Sequence, residues 1–265
     1  MTAYCMSGAA GRMGRAIISC QSQAGLKLAG ALDSPQSDYL GQDAGLLAGI
    51  GEIGVPIQSE PEQALEHASV VIDFSSPENT LAVADICSRL HIGLVVGTTG
   101  FTESQKAALV EKAKSIPMLI SPNMSTGVNV LFHLTRMAAS VLGLEYAPEV
   151  TEIHHRHKKD APSGTAVKLL EILEQELSLK SSDVVHGRQG ITGERPRGQI
   201  GAHALRGGDV VGDHTVYFFG EGERIEITHR AASRNTFAMG ALRAARWLAE
   251  QPAGLYSMDS VLGLG

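Results

Sequence analysis

The chain has 265 residues and a formal net charge of −6 at pH 7, from 22 Lys and Arg against 28 Asp and Glu. This length predicts one large domain or two modest ones, and the acidic balance argues against a broad basic surface for nucleic acid or anionic lipid. Hydrophobic residues make up 43% and charged residues 19% of the chain. That is ordinary globular usage, which excludes a disordered or fibrous protein.

Targeting signals and cysteine usage bear on the cellular compartment of the protein. By inspection, no apolar run reaches the ~18 residues of a membrane span, and the N-terminus lacks the pattern of a secretory signal. The three cysteines are odd in number and lack metal-ligand spacing, so we interpret Cys5, Cys20 and Cys87 as buried thiols. The sequence therefore predicts a soluble, cytoplasmic protein that binds neither membranes nor nucleic acid.

In the first ~125 residues, short apolar runs alternate with segments of helical periodicity. This alternation is typical of a parallel sheet with right-handed crossovers and with ligands at the carboxyl ends of the strands. The predicted strands are Ala3–Ser7, Leu26–Leu32, Val70–Phe74, Gly93–Val96 and Met118–Ser121, and the predicted helices are Gly11–Ala24, Pro77–Leu90 and Thr102–Ser115.

From about Glu149 the pattern changes to that of an open sheet with one solvated face. A long Gly-rich loop at 186–198 is of the kind that often carries function. The predicted strands are Glu149–His155, Gln199–Arg206, Val210–Phe218 and Arg224–Arg230, with the last three expected to be antiparallel, and the predicted helices are Gly164–Leu177 and Thr236–Glu250. Periodicity alone does not decide where the last helix packs.

The segment Gly8–Gly14, with the sequence GAAGRMG, follows the first predicted strand and opens the first helix. Glycines allow close backbone approach, and a helix N-terminus offers free N–H groups, so this turn predicts a dinucleotide pyrophosphate site. Ala10 stands where the usual fingerprint has a glycine, which leaves a purely structural turn as an alternative. Asp33 has the spacing of the acid that binds the adenosine ribose, or it starts a turn before Ser34.

Two further loops follow predicted strands, at 97–100 (GTTG) and 121–125 (SPNMS). Both fall on the ligand-facing rim of a doubly wound sheet, where backbone N–H groups and small hydroxyls can line a nicotinamide and its ribose. Either loop alone would be a routine turn.

The densest chemistry lies in His154–Thr165, which reads HHRHKKDAPSGT. If residues 154–157 are extended, His155 and His157 share one face of the strand. A metal site is an alternative, but the neighbouring Arg and Lys would repel a cation. An anionic substrate fits better, because Lys and Arg attract carboxylates, a His donates a proton near neutral pH, and Ser163 opens a second anion-binding helix N-terminus.

The three motifs GAAGRMG, GTTGF and HHRHKxDAPSGT, in this order, resemble the dihydrodipicolinate reductase (4-hydroxy-tetrahydrodipicolinate reductase) family. TGER at 192–195 and AxSRxxFAxG at 231–240 extend the resemblance over nearly the whole chain. It implies an α/β protein with a Rossmann-like doubly wound parallel sheet domain at 1–125 and 236–265. It also implies a central α+β domain at 126–235, with an open mixed or antiparallel sheet that binds substrate and forms a homotetramer.

The implied reaction is reduction of a cyclic unsaturated dicarboxylate, 4-hydroxy-tetrahydrodipicolinate, to tetrahydrodipicolinate by NADH or NADPH in diaminopimelate and lysine biosynthesis, without a metal. The resemblance also implies roles for the residues of this sequence that match the family's motifs. They are cofactor binding by Gly8, Ala9, Ala10, Gly11, Arg12, Met13, Asp33, Gly97, Thr98, Thr99, Ser121, Pro122, Asn123 and Met124, proton donation by His154 and Lys158, and substrate binding by His155, Gly164 and Thr165.

The chain departs from the family at Ser34, where some members carry an Arg after the ribose acid. The missing cation weakens the case for a 2′-phosphate, so we expect NADH to be used at least as well as NADPH. Two alternatives remain. Another two-domain NAD(P)-dependent reductase is one, and a non-catalytic dinucleotide-binding sensor, which would have little use for His154 and Lys158 together, is the other.

Overall fold

The computed structural model describes residues 2–264, which divide into two compact units. Unit 1 contains the chain up to Thr126 and again from Arg234, and unit 2 contains Gly127–Ser233. The strands are β1 Ala3–Ser7, β2 Lys27–Leu32, β3 Ile57–Gln58, β4 Val70–Asp73, β5 Gly93–Val96, β6 Pro117–Ile120, β7 Ala147–His154, β8 Val184–His186, β9 Ile200–Arg206, β10 Gly212–Phe219, β11 Arg224–Ala231 and β12 Gly254–Tyr256. The helices are α1 Arg12–Ala24, α2 Ala44–Ala48, α3 Pro61–Leu65, α4 Pro77–Leu90, α5 Glu103–Lys112, α6 Thr126–Leu142, α7 Gly164–Glu176, α8 Asn235–Leu248 and α9 Met258–Leu262.

Unit 1 is a doubly wound sheet whose strands are all parallel, in the order β12-β6-β5-β4-β1-β2-β3. The order reverses between β1 and β4, because the chain builds outward from β1 to β3 and then returns to the other side of β1. Ligands of such sheets bind outside the carboxyl ends of the strands at this switch point. The predicted Rossmann-like architecture is confirmed, and the loops after β1 and β4 are the ones that meet there.

The strands of unit 1 are buried on both faces. Tyr4 and Met6 point into a core shared with α1 and α8, whereas Cys5 between them points into a second core shared with α4. This alternation explains why the strands read as continuous apolar runs rather than as alternating ones. All three cysteines are buried free thiols, as predicted, and burial raises the pKa of Cys87 to about 12.

Helix starts follow the capping signals in the sequence. Ser76 accepts a hydrogen bond from the Asn79 N–H ahead of α4, which begins at a proline. Thr102 and Gln105 form a reciprocal capping box at the start of α5. These side chains satisfy backbone N–H groups that have no partner within the helix, so the helices begin where the sequence predicts.

The last long helix, α8, returns to unit 1 and packs on α1 and the sheet. Its Gly240 lies so close to the Met124 carbonyl that a Cβ at this position would sit 1.7 Å from the oxygen. Glycine at this position therefore lets α8 pack closely against the loop after β6. The chain then adds the short strand β12 beside β6, an element that the sequence analysis did not predict.

Unit 2 is a mixed sheet in the order β11-β10-β7-β9-β8. β10 is antiparallel to β11, as predicted, and also to β7, but β9 is parallel to β7 and β8. The expectation that β9 forms an antiparallel run with β10 and β11 is wrong, because β9 lies between β7 and β8. The helix α7 returns the chain so that β8 is parallel to β7, and the loop at 187–199 returns it again before β9. An alternating polar and apolar pattern reports which face is buried and carries no information on strand direction.

Two further segments differ from expectation. The helix α6 was not predicted, and with the turn that follows it, 126–145 is the one helix in the described part of the chain long and apolar enough to cross a membrane. Leu131 and Phe132 from this helix pack in the core of unit 2, and Arg136 pairs with Glu176 at 3.7 Å, which makes it weak evidence for a membrane span. The strand β7 ends at His154 rather than running on through the His-rich segment.

Candidate cofactor and substrate sites

The glycine loop after β1 is shaped by close backbone contacts that only glycine permits. Gly8 has φ of +81°, and a Cβ there would lie 2.3 Å from the Phe74 carbonyl oxygen at the end of β4. A Cβ on Gly14 would lie 2.2 Å from the Gly8 carbonyl oxygen. The loop therefore lies directly against the end of β4, at the switch point of the sheet.

The N-terminus of α1 opens from this loop without a side-chain cap among the described residues. Gly11 is the N-cap, its own N–H donates to the Gly8 carbonyl at 3.1 Å, and no side chain accepts from the first turn. Arg12 is exposed and Met13 is half-buried at this end of the helix. Uncapped N–H groups with the positive end of the helix dipole form an anion-binding site, so the cradle fits a dinucleotide pyrophosphate.

Asp33 at the end of β2 joins the second strand to the glycine loop. Its Oδ2 accepts the Ala10 N–H at 2.6 Å, and its Oδ1 accepts the Ser34 N–H at 2.8 Å. The N–H groups of Gly8 and Ala9 also donate to the Leu32 carbonyl, at 2.9 and 3.0 Å. The carboxylate is thus held by backbone donors and keeps free lone pairs for a diol.

Sequence reasoning missed a cation beside the glycine loop. The Arg15 Nε donates to the Ala10 carbonyl at 2.7 Å, and its guanidinium lies over the ring of Tyr39, 5.0 Å from the centroid. Arg12, which the family resemblance assigns to cofactor binding, is exposed. The positions of Arg12 and Arg15, three apart in a helix, place them on one side of α1 and are the signal that could have found the second cation.

A buried carboxylate that the sequence analysis did not single out organises the rim of the sheet. Asp73 at the end of β4 is fully buried and accepts hydroxyl hydrogen bonds from Ser75 at 2.7 Å, Thr80 at 2.5 Å and Thr98 at 2.7 Å. The Ser75 N–H in turn donates to the Thr98 hydroxyl at 2.9 Å. Because the single hydroxyl proton of Thr98 goes to Asp73, this side chain has no proton left to donate to a ligand.

The loops after β5 and β6 lie side by side. Gly97 packs against the Phe74 ring, where a Cβ would sit 2.2 Å from a ring carbon, and Thr99 is exposed. The Ser121 N–H donates to the Val96 carbonyl at 3.1 Å. The structure thus brings residues 97–99 next to the loop at 121–124 on one edge of the sheet.

The loop at 121–124 is held by its own polar groups. The Ser121 hydroxyl donates to the Asn123 carbonyl at 2.8 Å, and the Asn123 side-chain oxygen accepts the Ser125 N–H at 2.9 Å. Pro122 is exposed, whereas Met124 is buried against α8. These two hydrogen bonds stabilise the turn that joins β6 to α6.

In unit 2, His154 is the last residue of β7 and only 8% exposed. Its Nδ1 is in contact with Oε2 of Glu152, two residues earlier on the same face of the strand, although the alignment is not that of an ideal hydrogen bond. The other oxygen of Glu152 accepts the Ser163 N–H at 3.0 Å and an Arg206 Nη2 bond at 2.9 Å. One buried carboxylate thus touches three separate segments of the chain.

A second buried imidazole lies beside the first. His214 on β10 meets His154 edge to face, with ring centroids 5.1 Å apart, and its Nε2 lies 3.1 Å from the Ser163 hydroxyl. Burial, reinforced by the charge that His154 can carry, lowers the pKa of His214 to about 4, so His214 is neutral at physiological pH. Burial also lowers the pKa of His154, whereas contact with Glu152 raises it, and the net shift is downward.

Lys158 lies four residues after His154, beyond a turn closed by its own N–H donating to the His155 carbonyl at 3.1 Å. This turn replaces the extended conformation considered from the sequence, although the rings of His155 and His157 still approach to 6.2 Å between centroids. The Lys158 ammonium lies 3.0 Å from Asp160 Oδ2. Its side chain is 21% exposed, so the charge remains accessible from solvent.

The N-terminus of α7 follows directly. Ser163 is the N-cap, and its hydroxyl accepts the Ala166 N–H at 3.2 Å. Gly164 is exposed and Thr165 is half-buried in the first turn. The first turn of this helix therefore presents backbone N–H groups and a hydroxyl within the same segment as His154 and Lys158, an arrangement suited to a carboxylate.

The ligand atoms of Glu152, His154 and His214 lie within 4.8 Å of one another, a spacing that could hold a metal ion. However, Arg206 already occupies one oxygen of Glu152, and Lys158 adds a second positive charge to the surroundings. Two fixed cations raise the cost of placing a third one here. The electrostatics of this part of unit 2 favour an anion.

The Gly-rich loop at 186–198 is tied to the opposite face of the unit 2 sheet. Glu149 on β7 accepts hydrogen bonds from Arg188 at 2.8 and 3.1 Å, from Arg195 at 2.9 Å and from His203 at 2.8 Å. Burial alone would raise the pKa of Glu149, but these partners outweigh burial and lower the pKa to about 2. The loop is thus fastened to the sheet at a site separate from His154.

Comparison with known families accounts for both units. The family model described as dihydrodipicolinate reductase, N-terminus, matches residues 3–124, and the model for the C-terminus of the same protein matches residues 127–262. The chain belongs to the dihydrodipicolinate reductase family. This family consists of nicotinamide-dependent reductases, so the resemblance read from the sequence motifs is confirmed.

Similar members of the dihydrodipicolinate reductase family match over the full chain. A 4-hydroxy-tetrahydrodipicolinate reductase from Anaeromyxobacter dehalogenans strain 2CP-1 is 52% identical and covers 100% of this chain and 98% of its own length. One from Geobacter sulfurreducens is 46% identical over 100% of both chains. A solved dihydrodipicolinate reductase with bound dipicolinate, from Paenisporosarcina sp. TG-14, shares the fold, with a TM-score of 0.77, 22% identity and 97% of each chain covered.

Proposed function

We propose that this chain catalyses the NAD(P)H-dependent reduction of 4-hydroxy-tetrahydrodipicolinate to tetrahydrodipicolinate, a step of diaminopimelate and lysine biosynthesis. Membership of the dihydrodipicolinate reductase family supports the reaction. The observation that carries it is the composition of one segment of unit 2. His154, Lys158 and the N-terminus of α7 together offer acids and carboxylate receptors within twelve residues, 154–165.

In this proposal, unit 1 binds the dinucleotide. The loop at 8–13 holds the pyrophosphate, Asp33 accepts from the adenosine ribose hydroxyls, and the loops at 97–99 and 121–124 line the nicotinamide end. When bound, the cofactor supplies the hydride. Because the Thr98 hydroxyl proton is committed to Asp73, its part is to fix the loop while backbone groups face the ligand.

Unit 2 supplies the proton and the substrate contacts. Hydride addition to a ring conjugated with an imine leaves negative charge on the side of the ring nitrogen, which His154 and Lys158 neutralise by proton donation. His155, Gly164 and Thr165 bind the carboxylates. A dianionic substrate beside His154 also raises the pKa of this imidazole and so offsets the effect of its burial.

The reaction is tested by following NADH and NADPH oxidation by the purified protein. The substrate is generated in place by the synthase that condenses pyruvate with aspartate semialdehyde. We expect oxidation only when the synthase and both its substrates are present. Cofactor binding without turnover would instead favour another two-domain reductase or a non-catalytic dinucleotide-binding sensor.

We further propose that NADH is used at least as well as NADPH. Asp33 is the proposed partner of the adenosine ribose, so its negative charge would repel a 2′-phosphate, and Ser34 supplies no cation to balance that charge. Wild-type kcat/KM values that favour NADPH by more than tenfold would contradict this preference.

Ser34→Arg is expected to raise the ratio of kcat/KM for NADPH to that for NADH by about tenfold or more. An added guanidinium can pair with the 2′-phosphate, and a charge-assisted hydrogen bond contributes roughly 1.5–3 kcal/mol. Steady-state kinetics with both cofactors measure the ratio. The matched control is Gln23→Arg, which adds the same charge at the exposed far end of α1 and should leave the ratio unchanged.

The protein is proposed to assemble as a homotetramer through the open face of the unit 2 sheet. On this face the rings of Tyr217 and Phe219 stack at 5.6 Å, and Phe219 is 41% exposed. We expect a tetramer in sedimentation velocity and a smaller species for Phe219→Glu, since a buried charge opposes association. Val167→Asp on the outer side of α7 is the control, and a monomeric wild type would contradict the proposal.

The site takes a small dicarboxylate, and we propose that the protein works in the cytoplasm. Its three free, buried thiols suit a reducing compartment.

A further inference from the structure

We propose that Glu152 is the positioning residue of the proton donor, a buried carboxylate that orients His154 and links it to the helix end that receives the substrate. The inference rests on the proposed function, in which His154 donates the proton. None of the sequence motifs singled out Glu152, and its side chain does not reach a ligand directly, because it is 1% exposed.

The contacts of Glu152 set the orientation of the imidazole. Oε2 touches Nδ1 of His154, so the proton on this nitrogen faces the carboxylate and Nε2 is the nitrogen left to exchange a proton with a ligand. Nε2 lies against Gly212 on β10, where a Cβ would come within 3.0 Å of it. Glycine at this position therefore leaves room beside the nitrogen that we assign to proton transfer.

The same carboxylate ties the imidazole to the substrate-binding helix. Its Oε1 accepts the N–H of Ser163, the N-cap of α7, at 3.0 Å. Arg206 bridges the same oxygen to the Asp160 carbonyl, at 2.9 and 2.7 Å. His154 and the first turn of α7 are thus held in a common frame, although eight residues of irregular chain separate strand and cap.

Glu152 and Arg206, which are bonded to each other, have opposite effects on the pKa of His154. Lys158 from the following turn and Arg206 from β9 both disfavour the protonated imidazole. His214 on β10 is neutral, with His229 and Asp213 beyond it. Glu152 is the anion among these neighbours that stabilises the protonated form, and its own charge is maintained by Arg206.

Glu152→Gln removes this charge and retains an acceptor oxygen of similar shape. A proton donor must be protonated, so kcat falls as pH rises through the pKa of His154, and a lower pKa moves this fall to lower pH. We expect the falling limb of the kcat profile to move down by about one pH unit, a size typical of losing one charge in contact. The KM for NADH should be unchanged.

Arg206→Gln is a second variant, for which we expect a shift of the falling limb in the opposite direction. Arg206 disfavours the protonated imidazole, so its removal raises the pKa of His154 and the falling limb should move to higher pH. The matched control is Glu149→Gln, which removes a buried, Arg-bonded carboxylate on the same strand but on the opposite face. Its falling limb should coincide with that of the wild type.

NMR titration separates this inference from the proposed function. The His154 imidazole signals, assigned by comparison with His154→Gln, give its pKa without turnover. We expect a lower pKa in Glu152→Gln and a higher one in Arg206→Gln, even if the protein does not reduce the expected substrate. Equal His154 pKa values in wild type and Glu152→Gln, or shifts of the same sign in both variants, would overturn the inference. Should Glu152→Gln not fold, the Arg206→Gln result alone decides.

Discussion

Replacing His154 with glutamine is expected to lower kcat by about 100-fold or more, the usual contribution of a general acid. Glutamine approximates the size of the imidazole and can still hydrogen bond to Glu152, but it cannot donate a proton at neutral pH. The KM for NADH should change little, because the residues proposed to bind the cofactor belong to unit 1. Stopped-flow and steady-state kinetics across pH 5–9 measure the effect.

The matched control for this variant is His157→Gln, a histidine of the same segment that is exposed. It should retain wild-type kcat. An unchanged pH–rate profile in His154→Gln would remove His154 from the role of proton donor, whatever the size of the drop in kcat.

Lys158→Ala is expected to reduce kcat/KM for the dicarboxylate by on the order of 100-fold, in line with losing one preorganised donor. The ammonium both attracts the dianionic substrate and neutralises developing charge, so kcat and the substrate KM should both worsen. Its ion pair with Asp160 holds it in place without burying it, which leaves it available to substrate.

Lys159→Ala is the natural control, because this neighbouring lysine is exposed and has no assigned role. Measurement at two ionic strengths separates attraction from chemistry, since screening weakens only the long-range part. If Lys158→Ala changed only the cofactor KM, the substrate pocket would have been placed wrongly.

The architecture of unit 1 was predictable because local patterns carry it. Buried parallel strands have short apolar sequences, and capping residues such as Ser76 and Thr102 mark the starts of helices. The glycine turn after β1 could be recognised for the same reason. Backbone contacts as close as those of Gly8 and Gly14 exclude any side chain, so the constraint is visible in single residues.

The direction of β9 and the existence of α6 were not predictable in the same way. An alternating strand looks the same in either direction. The strand β9 is parallel to β7 only because α7 returns the chain before β8 and the loop at 187–199 returns it again before β9. The helix α6 packs in the core on one side, but its exposed side also carries apolar residues, among them Leu134, Met137 and Val141. Its sequence therefore matches a membrane span in length and composition.

In the candidate site, too, groups that are adjacent in sequence were predictable and their distant partners were not. His154, Lys158 and the opening of α7 are contiguous in the chain, so their chemistry could be read from residue types and order. Their partners could not. Arg206 and His214 lie about fifty residues further along, on two other strands, and hydrogen bonds over such separations leave no local pattern.

Residue order alone was therefore sufficient for the fold class, the family resemblance and the list of reactive groups, since each of these depends on neighbours in the chain. Strand direction in unit 2, the hydroxyl cluster around Asp73 and the frame that Glu152 builds around His154 emerge only on folding. Burial brings together groups that are distant in sequence, and an interior carboxylate becomes stable only when several such donors converge on it. How these groups tune the acid is thus a property of tertiary contacts.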